Sequence, residues 1–157
     1  MKEVALIGFG GPVFATTLTG LLEQGLTVRV LITTSPEHVM LDDTRVTVQH
    51  VDLADKLDLL QQLQGYDEVI LALETDYMND EVNTLVLKYY NEIINTAIEA
   101  NVRRFVVVGG KFSKEFYTLD LRRRDGFDWV FISTEGDYGK FVCEQTVSPT
   151  VHAAVYA

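Results

Sequence analysis

A single cysteine, Cys143, leaves no partner for an intramolecular disulfide, so covalent cross-links do not hold this chain together. The residue reads as a small buried hydrophobe. The three histidines, His38, His50 and His152, stand apart from one another and from any cysteine cluster, so ligand spacing for a metal is missing. Positive charge is scarce as well. Thirteen Lys and Arg face 23 Asp and Glu, giving a net charge of −10, which excludes a broad nucleic-acid surface. No apolar run approaches the ~18 residues that span a bilayer. Lys2-Glu3 lead directly into a strand-like run, without an apolar leader, so the expectation is a cytoplasmic protein without membrane contact. Linkers, repeats and low-complexity tracts are also missing. The 157 residues read as one domain, 1–157, with enough chain for a core.

Familiar catalytic motifs are equally sparse. Neither the P-loop G-x-x-x-x-G-K-[ST] nor the G-x-S-x-G elbow occurs. Many dehydrogenases pass a proton through a tyrosine with a lysine four residues later. Here Tyr89, Tyr90 and Tyr117 are followed at that spacing by Ile93, Ile94 and Leu121, and Lys140 lies only two residues beyond Tyr138. Carboxylates do not follow the first strand, and neither does a hydroxyl-rich loop.

Alternation of apolar runs with helical patterns is what the chain does have. Strands are predicted at 3–9, 27–33, 45–50, 67–73, 103–109 and 128–133. Runs such as Val69-Ile70-Leu71-Ala72-Leu73 and Phe105-Val106-Val107-Val108 suit strands buried on both faces of a parallel sheet. Helices are predicted at 12–24, 36–42, 54–63, 80–100 and 114–124, the longest with apolar residues from Val82 to Ile98 at helical spacing. This pattern implies an α/β, doubly wound parallel sheet of about six strands in the order 3-2-1-4-5-6. Residues 134–157 differ: 140–146 and 151–156 are each a candidate short strand, and the C-terminal portion reads as reduced.

The first turn carries the clearest chemistry. Val4-Ala5-Leu6-Ile7 runs into Gly8-Phe9-Gly10-Gly11-Pro12-Val13 and then an apolar helix. A strand that breaks at glycines before a helix presents that helix's N-terminus to a phosphate. The fingerprint is incomplete. Gly8 and Gly10 fit G-x-G-x-x-G with its last position on Val13, and Gly8 and Gly11 fit G-x-x-G-x-x-G with its last position on Phe14. The third glycine, which allows close helix–strand packing, is therefore absent. Pro12 removes one N–H but suits a first helical turn. After the second strand, Thr33, Thr34 and Ser35 offer hydroxyls for a ribose or phosphate, and equally for a cap on the next helix. Arg29 reads as a solvent-facing edge residue. Asp52-Leu53 follow the third strand, where an adenine would sit or where a helix cap would be needed. The clusters Arg103-Arg104 and Arg122-Arg123-Arg124 read first as structural cations at element ends, with phosphate or partner binding as the alternative.

Together Gly8-x-x-Gly11, Asp52-Leu53, Val69-Ile70 and Ala100-Asn101-Val102-Arg103-Arg104-Phe105-Val106-Val107-Val108-Gly109-Gly110 resemble the atypical short-chain dehydrogenase/reductase superfamily. The last block is similar to that superfamily's A-G-V-x-R-F-V-x-V-[SG]-[SG]. The nearest group is the NAD(P)H-binding, NmrA-like proteins, which include NADH-flavin reductase-like members. Asp128-Trp129-Val130-Phe131-Ile132-Ser133 resembles their D-W-T-x-x-S-P, and Gly139-Lys140-Phe141 their G-K-Y. This chain departs in having Phe14 or Val13 for the third glycine, Thr33 or Thr34 for an arginine, and Thr134 for a proline. The resemblance implies an NADP or NAD cofactor. Gly8, Gly10 and Gly11 would cradle its pyrophosphate, Asp52 and Leu53 would meet the adenine end, and Leu73, Glu74, Thr75, Gly109 and Gly110 would line the nicotinamide crevice. Three functions stay open: an NAD(P)H-dependent reductase or epimerase-like protein acting on a flavin or another small molecule, a non-catalytic dinucleotide sensor, and a degenerate domain working through protein contacts, with a homodimer through the 80–100 helix. The Phe14 ring separates them. In the pyrophosphate space it blocks the cofactor, whereas beneath the helix it leaves the turn competent.

Overall fold

All six expected strands enter one parallel sheet. The structure is a computed structural model and describes residues 3–8, 11–32, 43–72, 80–109, 120–124, 128–133 and 153–156. In chain order the elements are β1 (Glu3–Gly8), α1 (Gly11–Glu23), β2 (Thr27–Ile32), β3 (Val46–His50), α2 (Lys56–Leu63), β4 (Glu68–Ala72), α3 (Asp80–Glu99), β5 (Arg104–Gly109), β6 (Asp128–Ser133) and β7 (Ala153–Tyr156). The sheet order is β3-β2-β1-β4-β5-β6-β7. The predicted 3-2-1-4-5-6 order holds, and β7 extends the sheet by pairing parallel to β6, with Phe131 opposite Val155. The predicted helix at 36–42 and the candidate strand at 140–146 lie outside the described residues. Of the predicted helix at 114–124, the described part is a helical turn at 120–123.

The period of two along each strand divides the core in two. Ala5, Ile7, Leu31, Val69, Leu71, Phe105, Val107 and Phe131 face Leu59 and Leu63 of α2 and Tyr90, Ile93, Ile94 and Ala97 of α3. The alternate residues Val4, Leu6, Val28, Val30, Ile32, Ile70, Val106 and Val130 share a cluster with Phe14, Leu18, Leu21 and Leu22 of α1. Strands buried on both faces account for the unbroken apolar runs. Ile98, read as part of the apolar stripe of α3, is partly exposed instead.

Local chemistry ends the helices where the chain must turn back. Gly25 adopts φ +75° after α1, and its N–H donates to Leu22 O. Arg45 Nη1 donates to the same carbonyl at 2.8 Å. Asp55 caps α2 by accepting from Asp58 N at 3.2 Å. α3 ends in a Schellman motif: Val102 N donates to Ala97 O and Asn101 N to Ile98 O, with Asn101 at φ 61°. Asn101 thus fills the position at which the resembled motif carries glycine.

One expectation about the arginines needs correction, and another is borne out. Arg29 is not on an edge strand, because β2 lies between β1 and β3. It is half-buried and donates from Nη2 to Gln62 Oε1 of α2 at 2.8 Å. Arg104 is buried, at 6% exposure, and the register sets it between Glu68 of β4 and Asp128 of β6. Glu68 is itself 2% exposed, so this is a buried charged row at the strand beginnings. Asp120, which the sequence reading did not single out, is a hub. It accepts from Tyr90 Oη at 2.7 Å and from Arg124 Nε at 2.8 Å, and Arg124 Nη1 also donates to Asn95 Oδ1. Arg124 therefore has a structural role, as first expected.

Candidate functional site

The topology places one crevice. β1 is flanked by β2 on one side and β4 on the other, and the chain reverses its winding between β1 and β4. At such a switch point ligands bind beyond the carboxyl ends of the strands. Gly8 ends β1 level with Ile32 of β2 and Ala72 of β4, while Gly109 ends β5 opposite Ser133. α1 begins at Gly11, so its first N–H groups lie at this same edge. Those groups lack intrahelical partners and carry the positive end of the helix dipole. The first turn of α1 contains no acidic side chain to compensate that end, which suits an anion.

Phe14 decides whether the turn remains usable. Its ring is 4% exposed and belongs to the cluster beneath α1, with Leu6, Ile32, Ile70 and Ala72. A Cβ placed on Gly8 would lie 2.2 Å from Phe14 Cδ2 and 2.9 Å from Cε2. The ring therefore lies against the Gly8 backbone in the space that a side chain there would fill. It points into the core between helix and strand. Val13 is also buried, at 8% exposure, and its carbonyl accepts from Thr17 Oγ1 at 2.7 Å. Its side chain is thus a core contact, and only its backbone can serve a phosphate.

At the adenine end, Asp52 is exposed and accepts from Ala54 N through Oδ1 at 2.9 Å, forming a short turn. The cap of α2 is Asp55 rather than Asp52. The Leu53 side chain is buried in the core against α2 and α3, so it would meet an adenine through its backbone. Gly8, Gly11, Pro12 and Val13 thus gather at one edge with Gly109, and Asp52 and Leu53 follow β3. Phe9, Gly10, Thr33, Thr34, Leu73, Glu74, Thr75 and Gly110 lie outside the described residues. Among the described residues no cluster could hold a metal ion, and no helix is long and apolar enough to cross a membrane.

The shifted titrations of Tyr66 and Asp43 lie at the opposite edge of the sheet. Tyr66, just before β4, donates its hydroxyl to Glu3 Oε1 at 2.5 Å, and Glu3 begins β1. Burial, with the Glu3 carboxylate adding to it, pushes the Tyr66 hydroxyl up to about 12. Hydrogen bonds from Arg45 hold Asp43, just before β3, down at about 2.

The comparisons with known proteins agree with this fold. A family model described as NAD(P)H-binding matches residues 15–117. A proposed epimerase of Bacteroides thetaiotaomicron superposes with a TM-score of 0.82 at 21% identity, over 98% of this chain and 94% of that one. An oxidoreductase of Lactococcus lactis gives 0.76 at 17% identity, over 98% and 88%. The triphenylmethane reductase of Citrobacter sp., solved in complex with NADP(H), gives 0.63 at 17% identity, over 82% of this chain but only 48% of that one. Among curated proteins the sequence search finds no match. The sheet order, the crevice beside α1 and the matched residues lead to one assignment: this chain belongs to the NAD(P)H-binding family.

Proposed function

We propose that this protein binds NADPH or NADH across the carboxyl edge of its sheet and passes the hydride to a small acceptor, with a flavin as the first candidate. The burial of Phe14 beneath α1 supports the reading, because a ring packed against Gly8 does not occupy the pyrophosphate space at the helix N-terminus. The N–H groups of Gly11 and Val13 would face that group, and Pro12 subtracts one donor without disturbing a first turn. Asp52 would meet the adenine end, and Gly109 would let the nicotinamide approach the backbone at β5.

Hydride transfer suits a chain that lacks a tyrosine–lysine pair. The reduced cofactor supplies the hydride, and the protein binds it, orients it toward the acceptor and keeps water away. A general acid is not required when a flavin takes the hydride and draws its proton from solvent. The test is anaerobic mixing of the protein with NADPH or NADH and excess FMN or riboflavin, following loss of the reduced nicotinamide. Turnover well above the protein-free rate supports the reductase reading. Binding without turnover on any flavin would replace it with the dinucleotide-sensor reading.

A further inference from the structure

We propose that Phe14 is a positioning residue for the phosphate-binding turn, taking over the task that a third fingerprint glycine performs in related folds. The inference rests on the cofactor binding proposed above and adds the element that aims the helix.

A glycine three residues after Gly11 would let α1 settle directly onto the strand. Phe14 stands at that place and needs a recess for its ring. Gly8 supplies the recess: a Cβ there would meet Cδ2, Cε2 and Cγ of Phe14 at 2.2, 2.9 and 3.2 Å. Gly8 cannot yield easily, because it is held in the ladder between Ile32 and Ala72. The ring is closed in on its other sides by the apolar cluster that contains Leu6, Leu18 and Ile70. Ring and glycine interlock, so the first turn of α1 is seated by this contact. The N–H groups that would receive the pyrophosphate lie within that same turn. Hydrogen bonds weaken steeply as distance and angle depart from the optimum, so a small shift of the seat changes the grip on the anion. Most core residues of this sheet have no such lever, because they lie far from the helix terminus.

The experiment measures the affinity for whichever reduced cofactor the wild type binds more tightly, with three variants compared. Phe14→Leu removes the ring, Gly8→Ala displaces it, and Phe131→Leu truncates an equally buried ring on β6, which packs against the opposite face of the sheet. Each is titrated well below its own melting temperature. The first two should bind ~10-fold or more weakly, as misplacement on the ångström scale can cost. Phe131→Leu should lose comparable thermal stability and keep its affinity within about 2-fold. If Phe14→Leu and Gly8→Ala bind like the wild type, or if Phe131→Leu weakens binding equally, Phe14 is only a core residue and the inference falls. A wild type that binds neither cofactor would overturn the proposed function, and this inference with it. The two failures are therefore distinct.

Discussion

Adding one methyl group at Gly8 should destabilise the fold through Phe14, and the size of the effect follows from the contact. Carbon atoms pack at about 3.5–4.0 Å, so a Cβ at 2.2 Å from Phe14 Cδ2 demands that the ring retreat by more than ~1 Å. The ring is 4% exposed and enclosed, and interiors are packed nearly as densely as crystals. Overpacking of this kind costs about 1–3 kcal/mol, and the severity of this overlap places Gly8→Ala in the upper half of that range. For a domain of this size each 1 kcal/mol lowers Tm by about 2–4 °C, so a loss of roughly 4–12 °C is expected. The backbone at Gly8 is not in the left-handed region, so the loss is steric and not conformational. That separation is testable by a double-mutant cycle with urea and thermal unfolding. Phe14→Ala alone should cost about 3–5 kcal/mol as a vacated ring site. In that background Gly8→Ala should cost less than ~0.5 kcal/mol, because its methyl enters empty space. Equal costs of Gly8→Ala in both backgrounds would refute the reasoning.

Three further outcomes follow from the same structure. Asn101 holds a left-handed conformation at the end of α3, so Asn101→Gly should leave stability within ~0.5 kcal/mol, while Asn101→Val should lose about 1–2 kcal/mol by urea unfolding. Arg104→Met leaves Glu68 buried beside an uncharged neighbour and should cost about 3–5 kcal/mol; the added change Glu68→Gln should recover much of it, and failure to recover would show that the two do not act together. Because the Tyr66 pKa is raised in the folded state to about 12, its contribution to stability is fully present below pH ~10, the ordinary tyrosine value, and is lost as pH rises from there through about 12. Tyr66→Phe should flatten the unfolding free energy across that window, and an unchanged slope would contradict the assignment.

The parts of this molecule legible in the sequence are those governed by period and local propensity. Continuous apolar runs marked interior parallel strands, and the glycine break after Ile7 marked the turn before α1. Both are properties of consecutive residues. What was not legible depends on partners distant in the chain. The place of Arg104 between two carboxylates comes from register across three strands, and Arg29 meets Gln62 only because α2 packs over β2. Phe14 read as damage to a fingerprint, because that pattern treats each position separately. In three dimensions Phe14, at the missing glycine's place, and the retained Gly8 form one contact. Asn101 is the intermediate case: it stands where the resembled motif carries glycine, and asparagine is the residue that tolerates this conformation nearly as glycine does, but only the backbone shows that the position needs it. β7 was legible as a candidate short strand at 151–156, but its place beside β6 depends on a crossover and not on its own sequence.

The most direct measurement is calorimetric titration of the purified protein with NADPH and with NADH. Saturable one-site binding of at least one of them at micromolar strength is the expected result, with an increase in melting temperature that grows with cofactor concentration. Absence of heat and of any melting shift up to millimolar concentrations of both would contradict the account, leaving a doubly wound fold whose first turn no longer holds a dinucleotide.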